Sequence, residues 1–512
     1  MNLGHAVARH ARHTPDAVAY FDDAGTVTYA DLHRRTNRLA HVLTDELGVR
    51  RGDRVALYAA NGLPVLEVLV ACAKVGAVHV GLNFRLDRRE LGQVLDNAEP
   101  AVMVGAAEFA PLLTSVCGER GLPLVGLDDP GPDGYAARCA RAPEDDHRDR
   151  HAVRPGDDAC IVYSSGTTGV PKGILFDHAA MLQHATVAAI EYDVTAASRY
   201  LVQLPHSSSV NITFAPCLVQ GAAIGMSDSR GFDPVAFAER VARDRVTHTF
   251  LVPTMLFRLL EHVRDDRLLD SLEVLAYGSS SIPADRVRQL VERFGPKLLQ
   301  LYGMAEIASI GTLLRRDDHA RAVAGEPGLL ASAGRPSLGV TVRVVDLETG
   351  EDVPTGERGE VVFAGAHVMR GYHRDPERTA EALVDGVMHS GDVGRFDEEG
   401  YLYVVDRIKD LIIRGGHNIA PKEVEEVLFD HPDVREATVV GLPDREWGES
   451  LCAVVVARDG ASPDGEALRA WCRERGLASI KVPGRVEVVA ELPRNLVGKV
   501  DKKAVVAGLA GS

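Results

Sequence analysis

Apolar residues along the first half of the chain gather into short runs separated by stretches of helix length. Residues 55–59, 77–81, 101–105 and 122–126 are such runs, each bounded by turn residues, as in strands covered on both faces. Between the runs the period changes. Leu32, Leu39, Ala40 and Leu43 fall on one helical face, in a segment opened by Thr28 with Asp31 three residues later. This rhythm predicts a layered α/β domain. Residues 130–157 turn polar, with Pro, Gly and the acidic run Glu144, Asp145, Asp146, and read as a surface connection; Ala159, Cys160, Ile161 and Val162 then resume the buried-strand pattern. From 336 to 405 alternating strands, such as 341–345 and 360–363, are separated by glycine-containing turns and predict a β-rich subdomain. After Gly415 and Gly416 the chain starts afresh. Pro421 opens a helix carrying Val424, Val427 and Leu428, strands follow at 437–440 and 451–457, then a helix over 467–475 and a strand at 486–489, a small α+β domain.

At 512 residues the chain is long enough for two or three domains, and its 46% hydrophobic and 25% charged residues are those of a globular protein. The net charge of −16 leaves no global positive field to hold a phosphate backbone, so no nucleic-acid partner is expected. The seven cysteines, at 72, 117, 139, 160, 217, 452 and 472, form no CxxC pair, and an odd number cannot all pair within one chain; a reducing cytoplasm is expected. The first 14 residues hold His5, Arg9, His10, Arg12 and His13 where a signal peptide has an apolar core. The longest apolar stretch, 63–82, contains Glu67 and Lys74, and neither export nor membrane insertion is expected.

The strongest chemical signal is Tyr163-Ser164-Ser165-Gly166-Thr167-Thr168-Gly169-Val170-Pro171-Lys172-Gly173, directly after a strand. Glycines let backbone N–H groups turn toward an anion, hydroxyls add donors and Lys172 adds a charge, which together make a phosphate cradle. It is not a Walker loop: Pro171 stands where the second glycine belongs, and Gly173 where the magnesium-binding Ser or Thr belongs. Further on come Tyr277-Gly278-Ser279-Ser280-Ser281-Ile282-Pro283, Leu301-Tyr302-Gly303-Met304-Ala305-Glu306, and His389-Ser390-Gly391-Asp392. Asp406-Arg407-Ile408-Lys409-Asp410, Arg414-Gly415-Gly416-His417-Asn418-Ile419, and Leu492-Pro493-Arg494-Asn495 with Gly498-Lys499 complete the series.

In this order and over essentially the whole chain, these motifs resemble the adenylate-forming superfamily of acyl-CoA synthetases, nonribosomal peptide adenylation domains and luciferases, most nearly the acyl-CoA synthetases. The resemblance implies a large N-terminal AMP-binding domain over 1–408 and a small mobile C-terminal domain over 409–512, hinged at Asp410. It implies an ATP site formed by Ser164, Ser165, Gly166, Thr167, Thr168, Gly169, Lys172, Gly278, Ser279, Ser280, Tyr302, Gly303, Met304, Asp392 and Arg407. Chemically, an aromatic ring such as Tyr302 can stack on adenine, Asp392 and Arg407 can accept from and donate to ribose hydroxyls, and Glu306 is a hard oxygen ligand suited to Mg²⁺. Lys499 would bridge the substrate carboxylate and the α-phosphate. The acyl pocket is expected at His206, Ser207, Ser208, Asn211, Tyr277 and Gly278, and the CoA channel at Arg414, Gly415, Gly416 and His417.

Two positions depart from the family pattern. The threonine usual before the glutamate is Ala305, so a hydroxyl near the phosphates is missing, worth roughly tenfold to a hundredfold in rate if nothing replaces it. Where relatives commonly place an aromatic or histidine a few residues after the proline of Leu204-Pro205-His206-Ser207-Ser208, Ser208 or a neighbour stands instead. Residues 205–214 contain no carboxylate to pair with an ammonium, so an amino-acid substrate is not expected. The implied activity is a carboxylic acid:CoA ligase using ATP, Mg²⁺ and CoA. Transfer of the acyl group to a carrier-protein thiol, a relative retaining only one half-reaction or only ligand binding, and luciferase-like oxygen chemistry remain alternatives. The serines of the pocket segments predict a compact or ring-containing acid bearing a polar group.

Overall fold

The computed structural model describes residues 1–146, 151–164, 171–208, 210–280, 282–415, 417–444, 447–494 and 500–510. The chain divides into two compact units: Met1–Val342 with Phe363–Met388, and Arg343–Val362 with His389–Ser512.

The first unit is built on two sheets. In the seven-stranded sheet, Arg54–Tyr58 lies between Val78–Leu82 and Val102–Gly105, all parallel, with Leu124–Gly126 beyond at one edge. These are the apolar runs predicted from the sequence, displaced by a residue or two at their ends. On the other side Val78–Leu82 pairs with Asp158–Ser164, which turns back antiparallel as Lys172–Asp177; the two-residue strand Gly371–Tyr372 closes that edge. The stretch 63–82 is a helix, Leu63–Val75, followed by the strand Val78–Leu82, buried almost throughout. Its two charges are matched inside the protein. Glu67 pairs with Arg35, and Lys74 donates to Thr36 Oγ1 at 2.7 Å and Asn37 Oδ1 at 2.6 Å.

The nine-stranded sheet runs in the order Arg335–Pro336, Thr312–Leu314, Leu298–Tyr302, Val274–Tyr277, His248–Leu251, Arg199–Val202, Ala223–Met226, Val18–Asp22, Gly25–Thr28. Its interior pairs are parallel and its edges antiparallel. Helices such as Pro253–His262 and Ala284–Phe294 link successive parallel strands. Thr28 caps the helix Tyr29–His41, its Oγ1 accepting from the Asp31 N–H at 3.1 Å.

One segment differs from the sequence reading. Residues 130–157 are not connection alone: Tyr135–Arg141 is a helix, and the Tyr135 hydroxyl donates to buried Glu67 Oε2 at 2.5 Å. Its sequence, YAARCAR, is too short to show a period, and its anchor is a single tyrosine meeting a carboxylate far away in the chain.

In the second unit, the strand Val387–Phe396, from His389 on, pairs antiparallel with Leu402–Arg407 between Asp392 and Phe396. A five-stranded sheet follows, in which Gly448–Ala457 lies between Val434–Asp444 and Arg485–Val489, with Ile412–Arg414 and His417–Ile419 at one end. Helices Pro421–Phe429 and Gly465–Glu474 cover a core that includes Ile412, Val424, Leu428, Val439, Leu451 and Leu468. The long hairpin extends well beyond the apolar segments 437–440 and 451–457, because the residues outside them alternate with polar ones such as Glu436 and Glu449.

Candidate active site

Two neighbouring parallel strands of the nine-stranded sheet end side by side. At the carboxyl end of Val274–Tyr277 the chain passes through Gly278, then Ser279 at φ 73°, a left-handed turn residue. A Cβ on Gly278 would lie 2.6 Å from the Leu301 carbonyl oxygen in Leu298–Tyr302, so only glycine allows this approach. Past Tyr302, a Cβ on Gly303 would meet Ser309 backbone at 2.9 Å, and the chain reverses through the short turn Ala305–Ile307. Ser279 and Ser280 are exposed, Tyr302, Met304 and Ala305 are half-buried, and Glu306 is only 8% exposed. Carboxyl ends of parallel strands in an open sheet are where such folds bind ligands. Tyr277 turns inward: its hydroxyl donates to Gln300 Oε1 at 3.1 Å and lies 2.9 Å from His319 Nε2.

In the other sheet the register sets Ser164 opposite Lys172. Ser165, Gly166, Thr167, Thr168 and Gly169 lie outside the described residues, as do Ser209, Ser281, Gly416 and Lys499. The Lys172 ammonium sits 4.9 Å above the ring centroid of Tyr372. The Tyr372 hydroxyl donates to Glu306 Oε1 at 2.8 Å; burial and that carboxylate push its pKa up, so it stays a donor. Among the described residues, no group of three or more His, Cys, Asp or Glu could hold a metal ion.

Around the expected acyl pocket, His206 is fully buried in the short turn His206–Ser208. Its Nε2 donates to the Ala59 carbonyl at 3.1 Å, its backbone N–H to Asn61 Oδ1 at 2.8 Å, and burial lowers its pKa to about 4. Ser207 is buried as well. Asn211 lies in the turn Val210–Phe214; its side chain and that of Ser208 lie outside the described residues.

In the second unit Asp392 and Arg407 are cross-strand partners, with Arg407 Nε 3.1 Å from Asp392 Oδ1. The Ser390 hydroxyl donates to the Val361 carbonyl and accepts from the Asp392 N–H at 2.9 Å. Glu360 accepts from the Gly391 N–H at 2.9 Å and lies 2.9 Å from His389 Nδ1. An acceptor and a donor for paired hydroxyls thus stand side by side. Asp410 ends the turn Ile408–Asp410, whose neighbour Lys409 has its pKa lowered by burial. Arg414 is held by the carbonyl of Ile480 at 2.8 Å and lies over the Trp447 ring at 5.5 Å, while exposed His417 opens the strand His417–Ile419.

Residues 7–373 match the AMP-binding enzyme family, and residues 423–499 match the C-terminal domain of such enzymes. The chain belongs to the AMP-binding enzyme family. This AMP-binding enzyme is 40% identical to a feruloyl-CoA synthase from an Amycolatopsis species over 98% of both chains, and 35% identical to an indoleacetate–CoA ligase from Aromatoleum aromaticum over 99% of this chain and 98% of the relative. Among solved structures it resembles the amide bond synthetase McbA from Marinactinospora thermotolerans, with TM-score 0.89, 34% identity and 99% of each chain covered. It is an AMP-forming acid–CoA ligase. No helix among its described residues is long and apolar enough to cross a membrane.

Two residues of this AMP-binding enzyme escape a reading of sequence alone. Tyr372 carried no signal, since Arg-Gly-Tyr is an ordinary turn and the partners lie in distant segments. Trp447 packs against Gly415, its carbonyl accepting from the Gly415 N–H at 2.8 Å; only its 43% exposure, uncommon for tryptophan, sets it apart.

Proposed function

We propose that this ligase activates a compact, ring-containing carboxylic acid bearing a polar group, and passes the acyl group to CoA through an acyl adenylate. The carrying observation is the buried Glu306 carboxylate, tied through Tyr372 to Lys172 at the end of the phosphate loop. A carboxylate at 8% exposure with no paired cation among the described residues is costly unless a positive partner joins it. The donor set fits Mg²⁺, a hard cation taken by one carboxylate together with nucleotide phosphates and water. When bound, Mg²⁺ supplies charge to offset the phosphates.

In the first half-reaction a carboxylate oxygen of the acid attacks the α-phosphorus of ATP and the bond to pyrophosphate breaks. Lys172 offsets phosphate charge, Tyr302 faces adenine, Asp392 and Arg407 hold the ribose hydroxyls, and Lys499 bridges the reacting anions. In the second, the CoA thiolate attacks the acyl carbonyl and AMP leaves, served by the loop from Arg414 to His417 after movement about Asp410. The acid class is supported by the full-length likeness to a feruloyl-CoA synthase and an indoleacetate–CoA ligase, both named for ring-containing acyl groups. The absence of a carboxylate in residues 205–214 agrees with an acid lacking a free ammonium.

Pyrophosphate release across hydroxycinnamic, arylacetic, short-chain and long-chain acids and amino acids tests this reading. Ring-containing acids should lead palmitate by about tenfold or more in kcat/KM; a preference for palmitate or for amino acids overturns it. Offering CoA, a carrier-protein thiol or an amine to the adenylate then identifies the acceptor, and product with a carrier protein or an amine but not with CoA would refute the thioester step.

A further inference from the structure

We propose that Tyr372 is a positioning residue that sets the phosphate side of the nucleotide site by holding Glu306 and Lys172 in register, an inference that rests on the reading of Glu306 given above. The two groups come from different sheets. Lys172 begins Lys172–Asp177 in the seven-stranded sheet, whereas Glu306 follows Leu298–Tyr302 in the nine-stranded one. Tyr372 lies on the edge strand of the first sheet, opposite Ile174. Lys172 is two residues from Ile174 and shares its face, so the tyrosine ring and the ammonium are diagonal cross-strand neighbours. This explains the 4.9 Å placement of Nζ over the ring, a favourable cation–π arrangement. From the far end of the same ring the hydroxyl reaches Glu306 Oε1 at 2.8 Å.

The backbone that carries Tyr372 is fastened to both sides. The Met369 N–H donates to the Glu306 carbonyl at 2.7 Å, the Arg370 N–H to Leu175 at 2.8 Å and the His373 N–H to Gly173 at 2.7 Å. The Tyr372 N–H donates to Thr379 Oγ1 at 2.9 Å. The phenol position is therefore determined by its strand, independently of the contact with Glu306. A phenol donates one hydrogen, so it orients one carboxylate oxygen and leaves the other to a ligand. Loss of a partner that orients a ligating group in this way typically costs about tenfold to a hundredfold in metal affinity or activity.

The test uses the full chain and four proteins: the parent, Tyr372→Phe, Tyr372→Leu and Glu306→Gln. ATP binding is measured calorimetrically with Mg²⁺ and with EDTA, and each half-reaction separately, as pyrophosphate release and as thioester formation from supplied acyl adenylate. Tyr372→Phe keeps the ring under Lys172 and loses only the hydroxyl. It should lose roughly tenfold of the Mg²⁺-dependent gain in ATP affinity, with affinity in EDTA within about twofold of the parent. Pyrophosphate release should fall by a similar factor, and thioester formation by less than about threefold. Tyr372→Leu, which also removes the ring from Lys172, should weaken ATP binding under both conditions. Unchanged Mg²⁺ dependence in Tyr372→Phe, or equal losses in both half-reactions, assigns the tyrosine to packing and overturns the proposal. If the parent binds ATP no better with Mg²⁺, or Glu306→Gln leaves that gain intact, the reading of Glu306 is what fails, and this inference falls with it.

Discussion

His79 and His206 converge on Gly81, where an added Cβ would lie 3.0 Å from His79 Cε1 and 3.3 Å from His206 Nδ1. Both rings are buried. His79 Nε2 and His206 Nδ1 have no hydrogen-bond partner among the described residues, and burial lowers their pKa values to about 3 and about 4. Both are therefore neutral in the folded chain at pH 7 and far below it. The unfolded chain takes up protons at these rings near the ordinary value of 6.5, so the stability they contribute is complete above 6.5 and is lost as pH falls toward the folded values. The loss is about 1.4 kcal/mol per pH unit for each histidine. His79→Met should therefore lessen the drop in unfolding free energy between pH 7 and pH 5 by about 2 kcal/mol, measured by urea titration at the two pH values. A drop equal to the parent's would show that burial does not lower the His79 pKa in the native state. At this scale the sequence marks His206 as a pocket candidate. Its burial follows from Ala59 and Asn61, contacts of long separation that no local pattern reports.

Strand ends, more than strand interiors, carry the chemistry. The motifs that hold Gly278 and Gly303 are legible in the sequence, but the adjacency of the parallel strands Val274–Tyr277 and Leu298–Tyr302 that lead into them is not. Adjacency is what makes Gly278 obligatory, because a side chain there meets the rigid carbonyl of Leu301 at 2.6 Å. Gly278→Ala should push the two strand ends apart, lower the unfolding temperature and reduce pyrophosphate release by about tenfold or more. Parental release in that variant would show that the turns at Ser279 and Gly303 are placed independently. The same logic explains the helix Tyr135–Arg141, which no period announced. Its tyrosine is drawn in by Glu67, a carboxylate that burial in Leu63–Val75 would otherwise leave, among the described residues, with Arg35 alone.

At the scale of the whole molecule, the two half-reactions separate the proposed roles of residues far apart in the chain. Lys499→Ala should remove most pyrophosphate release while sparing thioester formation from supplied acyl adenylate, since the lysine serves phosphoryl transfer. Asp410→Pro should do the reverse, because proline fixes φ at the proposed hinge. Equal losses in both assays for the lysine variant, or a parental thioester rate for the proline variant, would refute these assignments. Sequence alone determined the α/β rhythm, the β-rich and α+β segments and the order of the motifs, and with them the family. Those signals are local: a hydrophobic period, a glycine at a turn and a proline at a helix start act over a few residues. The tertiary structure alone decided that Tyr372 joins Glu306 to Lys172, that Arg407 pairs with Asp392 across a hairpin, and that the Tyr277 hydroxyl turns inward to Gln300 and His319. Each depends on strand register and on which strands become neighbours, and these are fixed only when the separate apolar faces pack together.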